Sequence, residues 1–198
     1  MRLIISSLAL AVVVGYLAGG RLAPLAQLEI RWPYVALAGL GLQVAPVPGP
    51  TLPLVLLLVS FVLLVAFAAV NVRARVVGFP LILIGIVLNF AVIGVNQGMP
   101  VSREALVASG QAETLALLAR DGGVKHHLAG PDDRLLFLGD VIVIRPVSMV
   151  ASVGDLIAYA GVLWLVLMGM VGQVAQVRLP PIPVGVTSDA IRSLQHVR

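Results

Sequence analysis

Two aspartates stand in apolar company, where a carboxylate is costly. Asp140 follows Gly139 inside Phe137-Leu138-Gly139-Asp140-Val141-Ile142, and Asp155 closes the run Ser152-Val153-Gly154-Asp155. An unpaired carboxylate in such a setting is penalised by desolvation, so each needs a compensating group. If the two meet, they cannot both ionise cheaply. One then stays protonated as an acid while the other acts as a base toward water. The plainer role for Asp155 is helix capping, since it stands at the start of an apolar run, where orphan backbone N–H groups and the positive helix end favour an anion. Asn89 and Asn96 lie seven residues apart, on one helix face and two turns from each other. Polar groups at membrane depth are functional candidates; for Asn89 the plainer alternative is an interhelical hydrogen bond that fixes packing.

In Asn96-Gln97-Gly98-Met99-Pro100-Val101, Gly98 permits a left-handed or tight turn and Pro100 pushes Met99 into an extended conformation. His126 and His127 follow Lys125. Either could join an aspartate to bind a divalent cation such as zinc, but neighbouring histidines in a strand face opposite sides, so at most one enters such a site. Solvated loop histidines are the plainer reading, and no metal or cofactor is assigned. The catalytic candidates are therefore Asp140 and Asp155, and the binding candidates are Asn89, Asn96, Gly98, His126 and Ser152.

The elements that must position these groups are membrane helices. Of 198 residues, 60% are apolar and 11% charged, a balance that calls for lipid as solvent. With no cysteine, thiolate catalysis and cysteine-ligated metal centres are excluded. Twelve arginines and one lysine give a net charge of +4, but they are scattered over short loops without a basic stripe or interleaved aromatics, which excludes nucleic acid as a partner. Apolar runs cover about 3–20, 32–47, 52–70, 76–95 and 156–175. At roughly 20 residues per crossing they predict an all-α integral membrane protein with about five transmembrane helices. The first run is long for a signal peptide, and no clean small-x-small site precedes a polar start, so it reads as a span. The second is short and glycine-rich, a short span or a re-entrant segment.

Orientation follows from arginine. With Arg73 and Arg75 inside, Arg21, Arg31, Arg178, Arg192 and Arg198 are inside too, facing only Glu29 and Asp189 among acids. This predicts a multi-pass plasma-membrane protein with its amino terminus outside and its carboxyl terminus cytoplasmic. Residues 1–175 then form the bundle, including a structured extracytoplasmic cap at 96–152 between helices four and five, and 176–198 form a flexible cytoplasmic tail. Within the cap, 102–120 reads as one alanine-rich helix and 135–144 as a short strand or extended segment.

On the N-x-G-M-P-V turn at Asn96–Val101, the Lys125-His126 pair, Leu138-Gly139-Asp140 and Ser152-x-Gly154-Asp155, the chain resembles a group of small bacterial membrane proteins classed as a domain of unknown function. That resemblance covers about 1–174 and implies no activity. At motif level the chain is also similar to the lipoprotein signal peptidase, an intramembrane aspartic protease. Asn96-Gln97-Gly98, Asp140 and Ser152-Val153-Gly154-Asp155 occur in the order of that family's N-x-G segment, first aspartate and N-x-A-D helix start. The chain departs from that pattern where Val141 follows Asp140 outside an N-x-x-D-R setting, where Ser152 replaces asparagine, and by an additional span. The leading expectation is an outward polar site that binds a membrane-embedded peptide, lipid or protein partner in an accessory role. The alternative is an aspartic-type hydrolase in which Asp140 and Asp155 activate water while Asn96 positions the substrate or stabilises the tetrahedral intermediate. Membrane lipids and a membrane-protein or lipoprotein partner are the expected contacts.

Overall fold

A computed structural model describes residues 2–49, 51–123 and 125–172. The expected tail, 176–198, lies outside them. The described chain is mostly helical. Five apolar helices, α1 (Arg2–Leu17), α2 (Pro33–Val44), α3 (Leu52–Arg73), α4 (Phe79–Asn96) and α7 (Val153–Met170), frame a small cap that carries α5 (Arg103–Ala108) and α6 (Ala112–Asp121). Three of them, α3, α4 and α7, are long and apolar enough to cross a membrane, while Ser6–Leu17 and Pro33–Val44 are shorter. At 1.5 Å per residue the 22 residues of α3 extend about 33 Å and the 12 of α2 about 18 Å.

Packing runs in the order α1, α7, α4, α3, α2. The tightest seam is between α4 and α7. A Cβ on Gly85 would strike the Gly154 carbonyl, one on Gly154 would strike Asn89, and one on Gly161 would come within 2.7 Å of the Gly78 carbonyl. Gly78 and Gly85 are seven residues apart, as are Gly154 and Gly161, so small residues recur every two turns on both helices and let the backbones approach. The α3–α4 seam is filled instead by bulk. Leu57, Phe61, Val92, Ile93 and Met99 form a buried cluster, and the Phe61 and Phe90 rings stack at 5.9 Å.

Helix limits differ from the apolar runs where capping decides. The last helix begins at Val153, three residues before its apolar run, because Ser152 and Asp155 form a reciprocal capping box. The fourth starts at Phe79, after Gly78 takes φ 82°, with Pro80 in its first turn. The third continues through Asn71 to Arg73. Buried Asn71 accepts from the Arg31 amide through Oδ1 (2.9 Å) and donates through Nδ2 to the carbonyls of Arg31 and Phe67 (both 2.9 Å), tying the segment before α2 to the end of α3. The Arg21 amide donates to the Met170 carbonyl at the end of α7 (2.8 Å).

Expectations for the cap need two corrections. The stretch 102–120 is not one helix: α5 ends at Ala108, Ser109 caps it, and Gly110 turns at φ 77° before α6 begins. A glycine in the left-handed region ends a helix readily. The stretch 135–144, read as a short strand or extended segment, is a strand only at its end. Leu135 at φ 55° opens a helical turn at Leu136–Leu138, and only Ile142–Ile144 (β3) is extended, paired antiparallel with Met149–Ala151 (β4). The cap thus adds strands to the expected all-α architecture, including a parallel pair between Met99–Val101 (β1) and His126–Leu128 (β2).

Candidate functional site

The segment that leaves α4 organises the site. Gln97, not Gly98, takes the left-handed cap at φ 55°, and Gly98 opens to φ 155°, so the chain turns from helix to strand within two residues. On one side of β1, the Met99 amide donates to the Lys125 carbonyl (2.8 Å) and the Ala129 amide to the Val101 carbonyl (2.9 Å), which sets Met99 opposite His126. On the other side, the Asp140 amide donates to the Pro100 carbonyl (2.9 Å) and the Ser102 amide to the Asp140 carbonyl (3.0 Å). Pro100 has no N–H to give, and the bonds on this side are arranged so that none is needed. Gly139 lies against the Pro100 carbonyl, where a Cβ would come within 2.6 Å. One short strand therefore brings the Lys125-His126 segment and Asp140, fourteen residues apart in sequence, to the same place.

That place is a cavity of about 190 Å³ sunk beside the top of the bundle, with room for several waters or a small polar group. Leu57, Phe61, Ile93 and Met99 give it an apolar wall, and Asn89, Lys125, His126, Asp140 and Asp155 line the polar one. Gln43, in the last turn of short α2, closes the side. Its carbonyl accepts from Lys125 Nζ at 2.7 Å, a cation meeting one of the carbonyls left open at a helix end. A larger hollow of about 380 Å³ adjoins it, lined by the Ala45–Val47 link, Pro53, Leu118 and Gly123, and shares Lys125 and His126 with the inner cavity.

Asp155 is held by a fixed network. Asn89, 8% exposed in mid-helix, donates through Nδ2 to Asp155 Oδ1 (2.7 Å) and accepts at Oδ1 from the Ser152 hydroxyl (2.8 Å). The Ser152 amide donates to Asp155 Oδ2 (3.2 Å), and Ser152 Oγ accepts from the Asp155 amide (2.9 Å). Asp140 is treated differently. Its side chain is 13% exposed, and its nearest charge partner is His126 Nε2 at 3.9 Å, beyond hydrogen-bond reach. Burial, reinforced by the Asp155 charge, pushes the Asp140 carboxyl up from the usual carboxylate range to about 7. The His126 ring is pushed down from its ordinary value by crowding, against the Asp155 charge that raises it. With 56% of its side-chain surface open to water, that downward push is partial.

The two histidines part company, as alternation in a strand requires. His126 faces the cavity, whereas His127 Nε2 lies 2.9 Å from Asp133 Oδ1, and Asp133 also accepts from the Gly130 amide (2.8 Å). Among the described residues no group of three or more His, Asp or Glu side chains is spaced to hold a metal ion. Asn96 is not in the cavity. Its Oδ1 accepts from the Arg134 amide (2.8 Å) while Nδ2 donates to the carbonyls of Arg134 (2.8 Å) and Val92 (2.9 Å). This repeats the clamp that Asn71 makes on Arg31. The structure thus brings together Asn89, His126, Asp140, Ser152 and Asp155, and leaves Asn96 and Gly98 as shapers of the turn.

Sequence reasoning left six lining residues out of the site: Gln43, Leu57, Phe61, Ile93, Met99 and Lys125. Lys125 carries the only lysine charge in the chain and could have been noticed on that ground. Gln43 and Phe61 gave no signal, since they join the wall only through helix packing. A family model matches residues 27–167, and its description is a family of unknown function. No curated protein and no solved structure matches the chain.

Proposed function

Since the chain belongs to DUF5317, a family of unknown function, its activity has to be read from the cavity, and we propose that it is a multi-pass plasma-membrane protein that binds the polar part of a membrane-embedded peptide or lipid there, in an accessory or binding role. The observation that carries this reading is the cavity's two-sided wall. An aspartate pair, Asn89 and His126 face Leu57, Phe61 and Ile93 across a space of about 190 Å³. Such a wall suits a ligand with one polar group on an apolar body.

Five crossings, with the cap outside, are part of the proposal. Support comes from the two ends of the bundle. Arg73 ends α3 and Arg75 follows it, the Arg31 backbone is bonded to Asn71 and the Arg21 amide to Met170, so four arginines gather at the end opposite the cap. That clustering fits a cytoplasmic face. The segment of α2 begins beside Asn71 and ends beside Lys125, so it runs from the arginine end to the cavity despite its 12 residues.

A second reading, an aspartic-type hydrolase, is favoured by one specific feature: a carboxyl held near neutrality beside a second, hydrogen-bonded carboxylate. In that form Asp155 takes the proton from a water that attacks a carbonyl, and Asp140 gives its proton to the carbonyl oxygen. Asn96, its amide occupied by backbone groups, has no part in it. Native mass spectrometry of protein released from its own membranes tests the binding reading. The wild type should carry a bound amphiphile that Asp140→Asn and Asp155→Asn each lose while remaining folded. Identical ligand-free spectra from all three would overturn it, and a cleaved ligand retained intact by the variants would select the hydrolase.

A further inference from the structure

Hydrogen-bond direction at the carboxylate pair says where a proton can sit. Both Asp155 oxygens are met by donors, Asn89 Nδ2 at 2.7 Å and the Ser152 amide at 3.2 Å. Asn89 turns its Nδ2 toward Asp155 and its oxygen toward the Ser152 hydroxyl. Its Oδ1 accepts from Ser152 Oγ at 2.8 Å, and that hydroxyl oxygen is itself engaged by the Asp155 amide at 2.9 Å. Donors at both oxygens favour the charged form of Asp155, because a proton there would weaken the acceptor that these N–H groups meet. Among the described residues no hydrogen-bond donor reaches the Asp140 carboxyl, which lines the cavity with His126 Nε2 at 3.9 Å.

We propose that Asn89 is a positioning residue which pins the Asp155 carboxylate in its ionised form and thereby assigns the proton of the pair to Asp140. The close seam of α4 and α7 makes this possible. A side chain at Gly154 would run into the Asn89 amide, and Gly85 lets Ala158 and the Gly154 carbonyl come up against α4. The groups that face Asp140 are Asp155 from α7 and the β2 residue His126, with Lys125 on the cavity rim beside them. Tyr159, one turn below Asp155, lies within electrostatic reach of both carboxylates. The raised titration of Asp140 agrees with the assignment but is not needed for it. The inference rests on the proposal that the two aspartates act as a pair, and it gives the pair an acid and a base with fixed identities.

Infrared spectroscopy of the purified full chain in detergent reads the proton directly, through the carbonyl stretch of a carboxylic acid at roughly pH 5.5 to 6.5, above the ordinary carboxylate range. The wild type should show one acid band, and Asp140→Asn should abolish it. In Asn89→Leu combined with Asp140→Asn, a band comparable to that of the wild type should return, because the proton can now rest on Asp155. Asn89→Ala in place of Asn89→Leu gives the same test with less bulk, and thermal unfolding identifies which variant is folded. If folded Asn89 variants lacking Asp140 show no acid band, Asn89 is only a packing residue and the inference is overturned. If Asp140→Asn retains the wild-type band, the proton sits on Asp155 and the assignment is reversed. Failure of the pair itself reads differently: Asp155→Asn would then leave the titration of Asp140 where it was.

Discussion

Replacing Asp140 by asparagine should remove a pH dependence of stability that the native carboxyl imposes. The carboxyl has an ordinary value of 3.8 and titrates at about 7 in the folded protein. Below about pH 4 both states hold the proton and the group makes no difference. As pH rises above that, the unfolded chain releases its proton first, which favours unfolding, and stability declines until the folded carboxyl ionises near 7. At 1.36 kcal/mol per unit the full difference is about 4 kcal/mol. The 13% of side-chain surface left open to solvent and the screening it allows bring the working figure to roughly 2 kcal/mol. For a chain of this size that is about 4–8 °C in unfolding temperature. Asparagine keeps the shape of the protonated acid and cannot ionise. Thermal unfolding in one detergent, followed from about pH 4.5 to 8, should therefore fall for the wild type and stay flat for Asp140→Asn. Parallel curves for the two proteins would refute the burial argument, since they would mean that Asp140 ionises in the folded state as it does in water.

Other perturbations separate the neighbouring interactions. Asp155→Asn should lower the Asp140 midpoint below 7 by removing the repulsion, yet leave it above the ordinary range because burial, the larger cause, remains; carbon-13 NMR of labelled aspartate measures it. Gly154→Ala should destabilise by about 1–3 kcal/mol, since its Cβ meets the Asn89 amide and the Gly85 carbonyl rather than a yielding side-chain tip; denaturant titration reads this, and a neutral result would contradict the close seam. Asn96→Ala removes two hydrogen bonds to the Arg134 backbone and one to the Val92 carbonyl and should cost about 1–2 kcal/mol; faster proteolysis of the 130–135 loop is the readout. Lys125→Met should speed hydrogen exchange in the last turn of α2, where Nζ meets the Gln43 carbonyl, with α7 unchanged.

The apolar framework was legible because its signal is additive along the chain: long apolar runs find α3, α4 and α7 without any knowledge of packing. A capping role for Asp155 was legible as well, although the apolar run began at 156 and the reciprocal box with Ser152 moves the helix start to Val153. The break inside 102–120 was harder to read. Ser109-Gly110 interrupts a run of good helix formers, and the turn at Gly110 is chosen by how α6 folds back on the cap. Leu135 is a leucine in the left-handed region, and nothing in its type announces that. For the site, the two aspartates and Asn89 stood out through the cost of polar groups in apolar company. Asn96 stood out for the same reason and proved to be a backbone clamp, because seven-residue spacing puts two side chains on one face without giving them one partner.

By itself the sequence determined the solvent this protein needs, the apolar segments that meet it, and the arginine asymmetry between loops, all of which depend on residue type and near neighbours. Only the tertiary structure decided that Asp140 shares a cavity with Asp155, that His126 rather than His127 joins them, and that Asn89 reaches across 66 residues to hold one carboxylate. The physical reason is that these contacts depend on helix rotation, on strand register set by Met99–Val101, and on how closely Gly85 and Gly154 let two backbones approach. Each of those is fixed by packing between segments distant in the chain, which no local pattern encodes.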